Sequence, residues 1–135
     1  MSEPLLFDTD VLIDVGRGVQ AAVDTLETVS RQNRVRISVV TEMELLVGCR
    51  NKDEQHTLYD FLDTCGAKIL QLHPTISATA VELMQMYQLS HDLRIADALI
   101  AATAHERDCP LITKNQKDFQ YIDGLNLPSY PPSIS

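Results

Sequence analysis

Short apolar runs alternate with amphipathic stretches along most of this chain. The runs are rich in aliphatic and β-branched side chains and predict buried strands. They lie at Leu5–Phe7, Val35–Val40, Ala67–Leu72 and Leu111–Ile112. In the stretches between them, apolar residues recur every three or four positions, as they do along one face of a helix. Strands separated by helices predict an α/β fold with a small, mainly parallel sheet and helices on both faces.

The predicted helices are defined by their apolar stripes. The stripes consist of Val19, Ala22, Val23, Leu26 and Val29; of Met43, Leu46 and Val47; of Leu58, Phe61, Leu62 and Cys65; and of Ile76, Ala80, Leu83, Met84 and Tyr87. Pro74 suits the start of the fourth of these helices, because the first helical residue needs no free N–H. A last helix, from Ile95 to Ala104, is rich in alanine and apolar nearly all round, which predicts that it is buried.

The first apolar run ends in acidic residues. Asp8 directly follows Phe7, and Asp10 comes two positions later. Ligands of open α/β sheets bind beyond the carboxyl ends of the strands, so a carboxylate there indicates a metal ion or a phosphoryl group. The alternative is that Asp8 or Asp10 only caps the following helix, which aspartate does well.

A second acidic position is Glu44, in a segment where a strand ends near Ser38 and a helix follows. Glu44 lies at the shoulder of the apolar stripe that contains Met43, so its carboxylate can border the core and face Asp8. The spacing of Thr41 and Glu44 also fits a capping box, in which Glu44 would accept a hydrogen bond from the Thr41 amide. The sequence leaves both interpretations open.

The third acidic position, Asp97, is the only charge among ten residues of the last helix, eight of which are apolar. A buried carboxylate costs several kcal/mol unless it is paired or binds a cation. Arg94 is one candidate partner, since it lies three residues earlier on the same helix. Beyond the last strand, Asn115 and Asp118 offer a fourth oxygen ligand, although turn chemistry would explain both equally well.

Length and composition bound the remaining possibilities. A chain of 135 residues with 44% hydrophobic content predicts one domain, at residues 1–127, and a Pro/Ser-rich tail at residues 128–135. No run of eighteen apolar residues and no signal-peptide pattern is present, so we expect no membrane association and a soluble, cytoplasmic protein. The three cysteines fit no metal-site spacing and should be reduced, and the four scattered histidines receive no role.

The net charge of −8 argues against a broad nucleic-acid surface, which is usually basic. A cation held among the acidic residues would reverse the local field and remove this objection. The acidic surplus is therefore compatible with a phosphate substrate only if the chain binds metal or has a local basic strip.

In this order, the four segments resemble the motifs of the PIN domain, and in particular those of its small VapC toxin ribonucleases. The segments are Leu6-Phe7-Asp8-Thr9-Asp10-Val11-Leu12-Ile13; Thr41-Glu42-Met43-Glu44-Leu45 with Gly48; Asp97 to Ala104; and Thr113-Lys114-Asn115 with Asp118-Phe119 and Gly124-Leu125. Two positions depart from the family pattern. Asp10 stands where asparagine is more common, and Asn115 stands where some members have aspartate, which makes Asp118 a candidate for the fourth acid.

The resemblance implies a PIN-like three-layer α/β/α fold and a metal-dependent endoribonuclease, the toxin of a toxin–antitoxin pair. It also implies an RNA substrate, a cognate antitoxin and a homodimer. The catalytic residues would be Asp8, Glu44, Asp97 and Asp118, of which the first three would hold Mg²⁺ or Mn²⁺. The residues expected to position water or substrate are Thr9, Asp10, Ser38, Thr113 and Asn115. The residue types fit this chemistry, because hard divalent cations prefer oxygen ligands and activate water for attack on phosphate.

Two rival functions remain open at this point. The segment Phe7 to Leu12 also matches the opening of HAD-type phosphatases, in which Asp8 would be the nucleophile and Asp10 the general acid. That family needs a later acidic pair after a strand, and it leaves Glu44 without a function. The other rival is an acidic interaction module that has lost turnover, for which Asn115 is the one indication.

Overall fold

The computed structural model describes residues 3–135, which form four β-strands, six α-helices and one short 3-10 helix. The elements are β1 (Leu5–Phe7), α1 (Thr9–Gly16), α2 (Gln20–Arg31), β2 (Val35–Ser38), α3 (Val39–Val47), α4 (Lys52–Thr64), β3 (Lys68–Leu70), α5 (Pro74–His91), α6 (Ile95–Glu106), β4 (Leu111–Ile112) and the 3-10 helix Gln116–Asp118. The first two residues of the predicted domain lie outside the described part of the chain.

The four strands form one parallel sheet in the order β3-β2-β1-β4. β1 is central, with Leu6 opposite Arg36 of β2 and Leu111 of β4. Parallel pairing places the carboxyl ends of all strands at the same edge of the sheet. The predicted α/β class and parallel sheet are confirmed, and this edge is where Asp8 and the loop after β4 meet.

The sheet separates two hydrophobic cores, which gives three layers. Side chains alternate between the faces of a strand, so that Leu6 joins the core shared with α5 and α6, whereas Leu5 and Phe7 join the core shared with α1, α2 and α4. All three residues are at most 4% exposed. The predicted three-layer α/β/α architecture is therefore confirmed.

The boundary between β2 and α3 agrees with one of the two positions that the sequence indicated. The strand ends at Ser38, as expected from the segment around Glu44, whereas the β-branched run had predicted a strand to Val40 and helix α3 instead begins at Val39. The Ser38 hydroxyl accepts a hydrogen bond from the Val40 N–H at 3.0 Å and so caps the helix. A serine placed before a helix satisfies an otherwise unpaired N–H, and here this outweighs the β propensity of Val39 and Val40.

The predicted apolar stripe of α3 is also wrong. Val40 and Thr41 are its buried residues, whereas Met43 is 51% exposed and Val47 is 86% exposed. The helix α3 contacts the sheet, α6, α1 and α4, and its buried residues lie in its first turn. The helix thus buries the polar Thr41 and leaves the apolar Met43 and Val47 exposed to solvent. The hydrophobic periodicity of the sequence alone does not predict this orientation.

The last eight residues contain no helix or strand, but they lie on the domain. Tyr130 and Ile134 pack against the core beneath α1, α2 and α4, and the Gln32 Nε2 donates a hydrogen bond to the Ser135 carbonyl at 3.3 Å. The division of the chain at residue 127 stays a prediction. Within residues 3–135, no helix combines the length and the apolar character that crossing a bilayer requires, and the three cysteines are free.

Candidate active site

Asp8 connects the central strand to the first helix. It follows β1 directly, and its Oδ1 accepts the Thr9 N–H at 2.8 Å, so it is also the N-cap of α1. Its Oδ2 accepts the Thr113 hydroxyl at 2.8 Å. Asp8 is only 6% exposed. The capping alternative is therefore correct, but it uses one oxygen of a carboxylate that also lies at the carboxyl edge of the sheet.

Asp10, in the first turn of α1, is held by the loop that follows β4. Its Oδ2 accepts the main-chain N–H groups of Lys114 at 3.1 Å and of Asn115 at 3.0 Å. The ammonium of Lys114 reaches one turn further along α1, where it forms a 2.8 Å ion pair with the buried carboxylate of Asp14. The loop after β4 is thus fixed to α1 through both the backbone and a side chain.

Glu44 extends from α3 towards α1 and does not form a capping box. Thr41 lies inside α3 and Ser38 is the N-cap, so the alternative based on Thr41 and Glu44 is wrong. Instead, the Thr9 hydroxyl donates to Glu44 Oε1 at 2.6 Å, and the Thr41 hydroxyl oxygen lies 3.1 Å from that of Thr9. Thr9 therefore orients the carboxylate of Glu44 from the residue that immediately follows Asp8.

Asp97 lies in the first turn of α6, where the helix dipole favours a negative charge. Among the described residues it forms no ion pair, since Arg94 does not come within 4.0 Å of its carboxylate. Burial and the nearby charges of Asp118 and Glu44 nevertheless raise the pKa of Asp97 to about 6, against the opposing effect of Arg94. The predicted Arg94 pair does not form, although the charge of Arg94 is close enough to act.

An open cavity of about 410 Å³ lies between these elements. It is lined by Glu44, His91, Asp92, Arg94, Ala96, Asp97, Asn115, Asp118 and Tyr121. Three acids predicted to be catalytic thus share one cavity, and Asn115 joins them. Asp8 does not line this cavity, and Ser38 is fully buried, so the hydroxyl of Ser38 supports α3 rather than reaching a substrate.

Like charges dominate the electrostatics of the site. Burial, with the charge of Asp10 as the next cause, raises the pKa of Asp8 to about 7, although hydrogen bonds from Thr113 and Thr9 act against this. Burial also raises the pKa of Asp10. The charge of Asp97 is the smallest of the causes that raise the pKa of Asp8. A cation brought among these groups would relieve both the burial penalty and the repulsion.

The donor set fits a hard divalent cation. The side chains in question offer carboxylate, hydroxyl and amide oxygens, which Mg²⁺ and Mn²⁺ prefer. Within residues 3–135, no three histidine, cysteine, aspartate or glutamate side chains already surround a common point. The described acids therefore form no preassembled three-ligand cage. Mg²⁺ usually takes one or two protein carboxylates and completes its shell with water and substrate phosphate.

Four polar cavity residues were missed by the sequence analysis. His91, Asp92 and Tyr121 received no role, and Arg94 was considered only as a partner of Asp97. His91 ends α5 and Tyr121 follows the 3-10 helix, so thirty residues separate them in sequence and no motif links them. Only the packing of α5 against the segment after β4 brings them together.

Comparisons with known proteins give a consistent result. The sequence profile of the PIN domain family matches residues 5–125. Over 129 residues, 95% of each chain, the sequence is 34% identical to ribonuclease VapC10 from Mycobacterium tuberculosis. A solved toxin–antitoxin complex from Klebsiella pneumoniae matches with a TM-score of 0.72 and 33% identity, over 90% of this chain and 94% of that one. VapBC2 from Rickettsia felis, bound to a DNA fragment from their promoter, matches with a TM-score of 0.75 and 25% identity, over 91% and 96%.

Proposed function

The chain belongs to the PIN domain family, and from that premise we propose that it is a cytoplasmic endoribonuclease acting as the toxin of a toxin–antitoxin pair. The observation that carries this proposal is the convergence of Glu44, Asp97 and Asp118 on one cavity, with Thr9, the residue after Asp8, donating its hydroxyl to Glu44. The 34% identity to a ribonuclease over 95% of both chains supports the same reaction class.

We assign Asp8, Glu44 and Asp97 as the carboxylates that would hold a divalent cation, Mg²⁺ or alternatively Mn²⁺. Such a cation, when bound, polarises the scissile phosphate and makes hydroxide available near neutral pH. Asp118 would complete the acidic wall of the cavity, and Asn115 would contribute an amide beside it.

The remaining polar residues keep the acids in place. Thr9 donates to Glu44, Thr113 donates to Asp8, and the N–H groups after β4 hold Asp10. These donors fix the orientation of the carboxylates, which is the usual function of groups surrounding a metal site. The bond to Glu44 uses only its Oε1, whereas both oxygens of Asp8 already accept a hydrogen bond. Ser38 acts on the site indirectly, because it caps the helix that carries Glu44.

The chemical identity of the RNA ends tests this mechanism. If hydroxide from water attacks phosphorus, the products carry a 5′-phosphate and a 3′-hydroxyl, and a 2′-deoxy substitution at the cut nucleotide still permits cleavage. Ribonucleases that use paired acid and base side chains instead attack with the 2′-hydroxyl and produce a 2′,3′-cyclic phosphate. Of the described residues, His91 is the one histidine at the cavity, so a two-histidine route has no second partner.

The measurement is end-group analysis of a cleaved oligonucleotide with Mg²⁺, with Mn²⁺ and with EDTA. We expect 5′-phosphate ends with either cation and no cleavage in EDTA. Cyclic phosphate ends, or full activity in EDTA, would contradict the assignment of Asp8, Glu44 and Asp97 as metal-binding carboxylates.

The partner of the toxin is proposed from the solved relatives. One of these is a toxin–antitoxin complex and another is a VapBC2 complex bound to promoter DNA. We propose that a small antitoxin binds this chain and blocks its cavity. Because the chain carries a net charge of −8, contacts with DNA phosphates in such a complex would come mainly from the antitoxin. The homodimer stays a prediction.

The rival functions are weaker. The phosphatase alternative is not favoured, because the family match extends from residue 5 to residue 125 and because two of the acids come from helices α3 and α6. An inactive interaction module would bind antitoxin but neither metal nor RNA. Calorimetric titration of the purified chain with Mn²⁺, together with the cleavage assay, separates that case.

A further inference from the structure

Three aromatic rings form a cluster beside the acidic cavity. Tyr121 and His91 are stacked, with ring centroids 4.0 Å apart and planes 9° from parallel. Tyr87 meets Tyr121 edge-on at 5.1 Å and approaches His91 edge-on at 5.9 Å. Both His91 and Tyr121 line the cavity that contains Asp97 and Asp118. The cluster therefore stands at the mouth of the proposed catalytic site.

The two stacked rings have different surroundings. Tyr121 is partly buried, because His91 covers one of its faces and Tyr87 packs against it. His91 is exposed, and only one of its faces is covered by Tyr121. The imidazole is therefore exposed to solvent, while Tyr121 stacks on one of its faces and Tyr87 approaches it edge-on. The Ser90 hydroxyl lies 2.7 Å from His91 Nδ1 and restrains the ring further.

An exposed aromatic ring that other rings hold in place, beside a cavity proposed to cut phosphodiester bonds, suits a nucleobase. Bases stack on aromatic side chains in most single-strand-binding sites, and the interaction tolerates any sequence because every base has a π-face. Arg94 also lines this cavity, so a phosphate next to the stacked base would have a positively charged partner. The volume of about 410 Å³ is within the range of small-ligand sites.

We propose that His91 is a base-stacking platform for single-stranded RNA, supported by Tyr121 and Tyr87, and that Arg94 contacts the adjacent phosphate. This inference rests on the proposed function, because it places the base next to the bond that the acidic residues cut. The proposal adds to the cavity a binding position for one nucleobase, which the carboxylates alone would not bind.

A purely structural role for the cluster predicts different behaviour. Tyr87 and Tyr121 connect α5 to the segment after the 3-10 helix, so their removal should lower stability. His91 lies on the outside of that contact, and its truncation should leave stability nearly unchanged. RNA affinity is therefore the property that separates a platform from a packing contact.

The test measures RNA binding in an Asp97→Asn background, in which cleavage should be lost. A fluorescein-labelled, short single-stranded RNA of mixed sequence is titrated by anisotropy in the presence of Mg²⁺. His91→Ala should raise Kd by about 5- to 100-fold, the range that base–aromatic stacking gives. His91→Phe should restore most of the affinity, because it keeps the ring. His56→Ala is the matched control, since it removes an exposed histidine on α4 that does not line the cavity.

A scan of single abasic substitutions along the same RNA locates the stacked base. At one position the missing base should weaken binding to the histidine-containing protein but have no further effect in His91→Ala, because the two changes remove the same contact. Equal affinities of the His91→Ala and His56→Ala proteins would overturn the platform. If the His91→Ala protein lost self-association but kept its affinity for RNA, this result would also overturn the platform.

The outcomes are separable from those of the proposed function. Cleavage by the wild type with unchanged kinetics in His91→Ala would retain the ribonuclease and reject the platform. Affinity that depends on His91, without cleavage by the wild type under any cation, would retain the platform and reject the ribonuclease.

Discussion

Asp97 shows how two local effects compete at one residue. The first turn of a helix stabilises a carboxylate by about 0.3–1 kcal/mol, and Asp97 lies in such a turn. Partial burial and the nearby Asp118 and Glu44 act in the opposite direction and raise its pKa to about 6. Burial, together with the repulsion from the neighbouring acids, outweighs the helix effect, so the ionised form of Asp97 is unfavourable until a cation is added.

Replacing Asp97 with Asn should therefore abolish RNA cleavage without destabilising the metal-free protein. The substitution removes a repulsive charge but keeps a side chain of similar size and shape. The melting temperature in EDTA should therefore be equal or higher. Wild type should gain stability with millimolar Mg²⁺ or Mn²⁺ by mass action, and Asp97→Asn should gain less. Thermal melts measure both effects, and Asp60→Asn, on the exposed face of α4, is the control. If the melting temperature of the wild type changes with neither cation, the metal site is rejected.

The raised pKa values of Asp8 and Asp97 also predict a pH dependence. The ordinary pKa of both carboxyls is 3.8, whereas in the folded protein it is about 7 for Asp8 and about 6 for Asp97. Between these values the folded state holds more protons than the unfolded chain, so the free energy of unfolding falls as pH rises. This contribution is fully present below pH 3.8 and is lost as pH passes about 7.

Denaturant titrations in EDTA across this interval measure the effect. The wild type should become less stable towards pH 7, and the Asp8→Asn and Asp97→Asn proteins should show a smaller slope. Asp60→Asn should follow the wild type. A stability that rises over the same interval would contradict the raised pKa values.

Among the elements, the loop after β4 makes direct hydrogen bonds to two of the acidic residues, Asp8 and Asp10. Thr113 donates to Asp8, and the loop N–H groups donate to Asp10. Lys114 pairs with Asp14, which lies one turn beyond Asp10 on the same face of α1. The Asp14 side chain is 8% exposed, whereas that of Lys114 is 46% exposed. The ion pair therefore neutralises a nearly buried carboxylate and holds the loop against α1.

Lys114→Met should destabilise the protein, because the nearly buried Asp14 carboxylate loses its ion-pair partner. Adding Asp14→Asn should recover most of the loss, because the unpaired charge is then removed. Cleavage should fall in the single variant as the loop loosens around Asp8 and Asp10. Urea unfolding and cleavage rates measure this, with Lys117→Met as the control for loss of an exposed lysine. Additive single effects of Asp14→Asn and Lys114→Met would contradict the coupling.

At the scale of the whole molecule, the net charge of −8 and the acidic cavity define what an inhibitor must provide. A basic side chain placed among Asp8, Glu44 and Asp97 would supply the positive charge that a metal ion otherwise supplies. Arginine suits this position best, because its planar guanidinium can bind a carboxylate through two hydrogen bonds. We therefore expect the antitoxin to inhibit by occupying the site.

The prediction is that the antitoxin binds wild type more tightly than an Asp8→Asn/Asp97→Asn variant, by about 2–5 kcal/mol for loss of a buried charged partner. Calorimetry with the purified antitoxin measures the difference, and a double Asn variant at the exposed residues Asp53 and Asp60 controls for overall charge. Equal affinities, or a complex that still cleaves RNA, would contradict inhibition through the site.

The sequence by itself determined the class of fold, and it identified the acidic residues that we propose for the site. Alternating strands and helices require a layered α/β arrangement, and the order of the strands and acids places Asp8 at the edge where ligands bind. Asp97 could be identified because a lone charge on an apolar helix is unfavourable without a partner. These inferences depend on period and polarity, which are local properties of the chain.

Tertiary structure alone decided the rest. The exposed side of α3 and the true cap at Ser38 depend on which turn of the helix the sheet covers, so the pattern around Met43 gave the wrong stripe. The bond from Thr9 to Glu44 and the stack of His91 on Tyr121 join residues separated by 35 and 30 positions. No local periodicity relates such residues, because their proximity arises only when separate elements pack against each other.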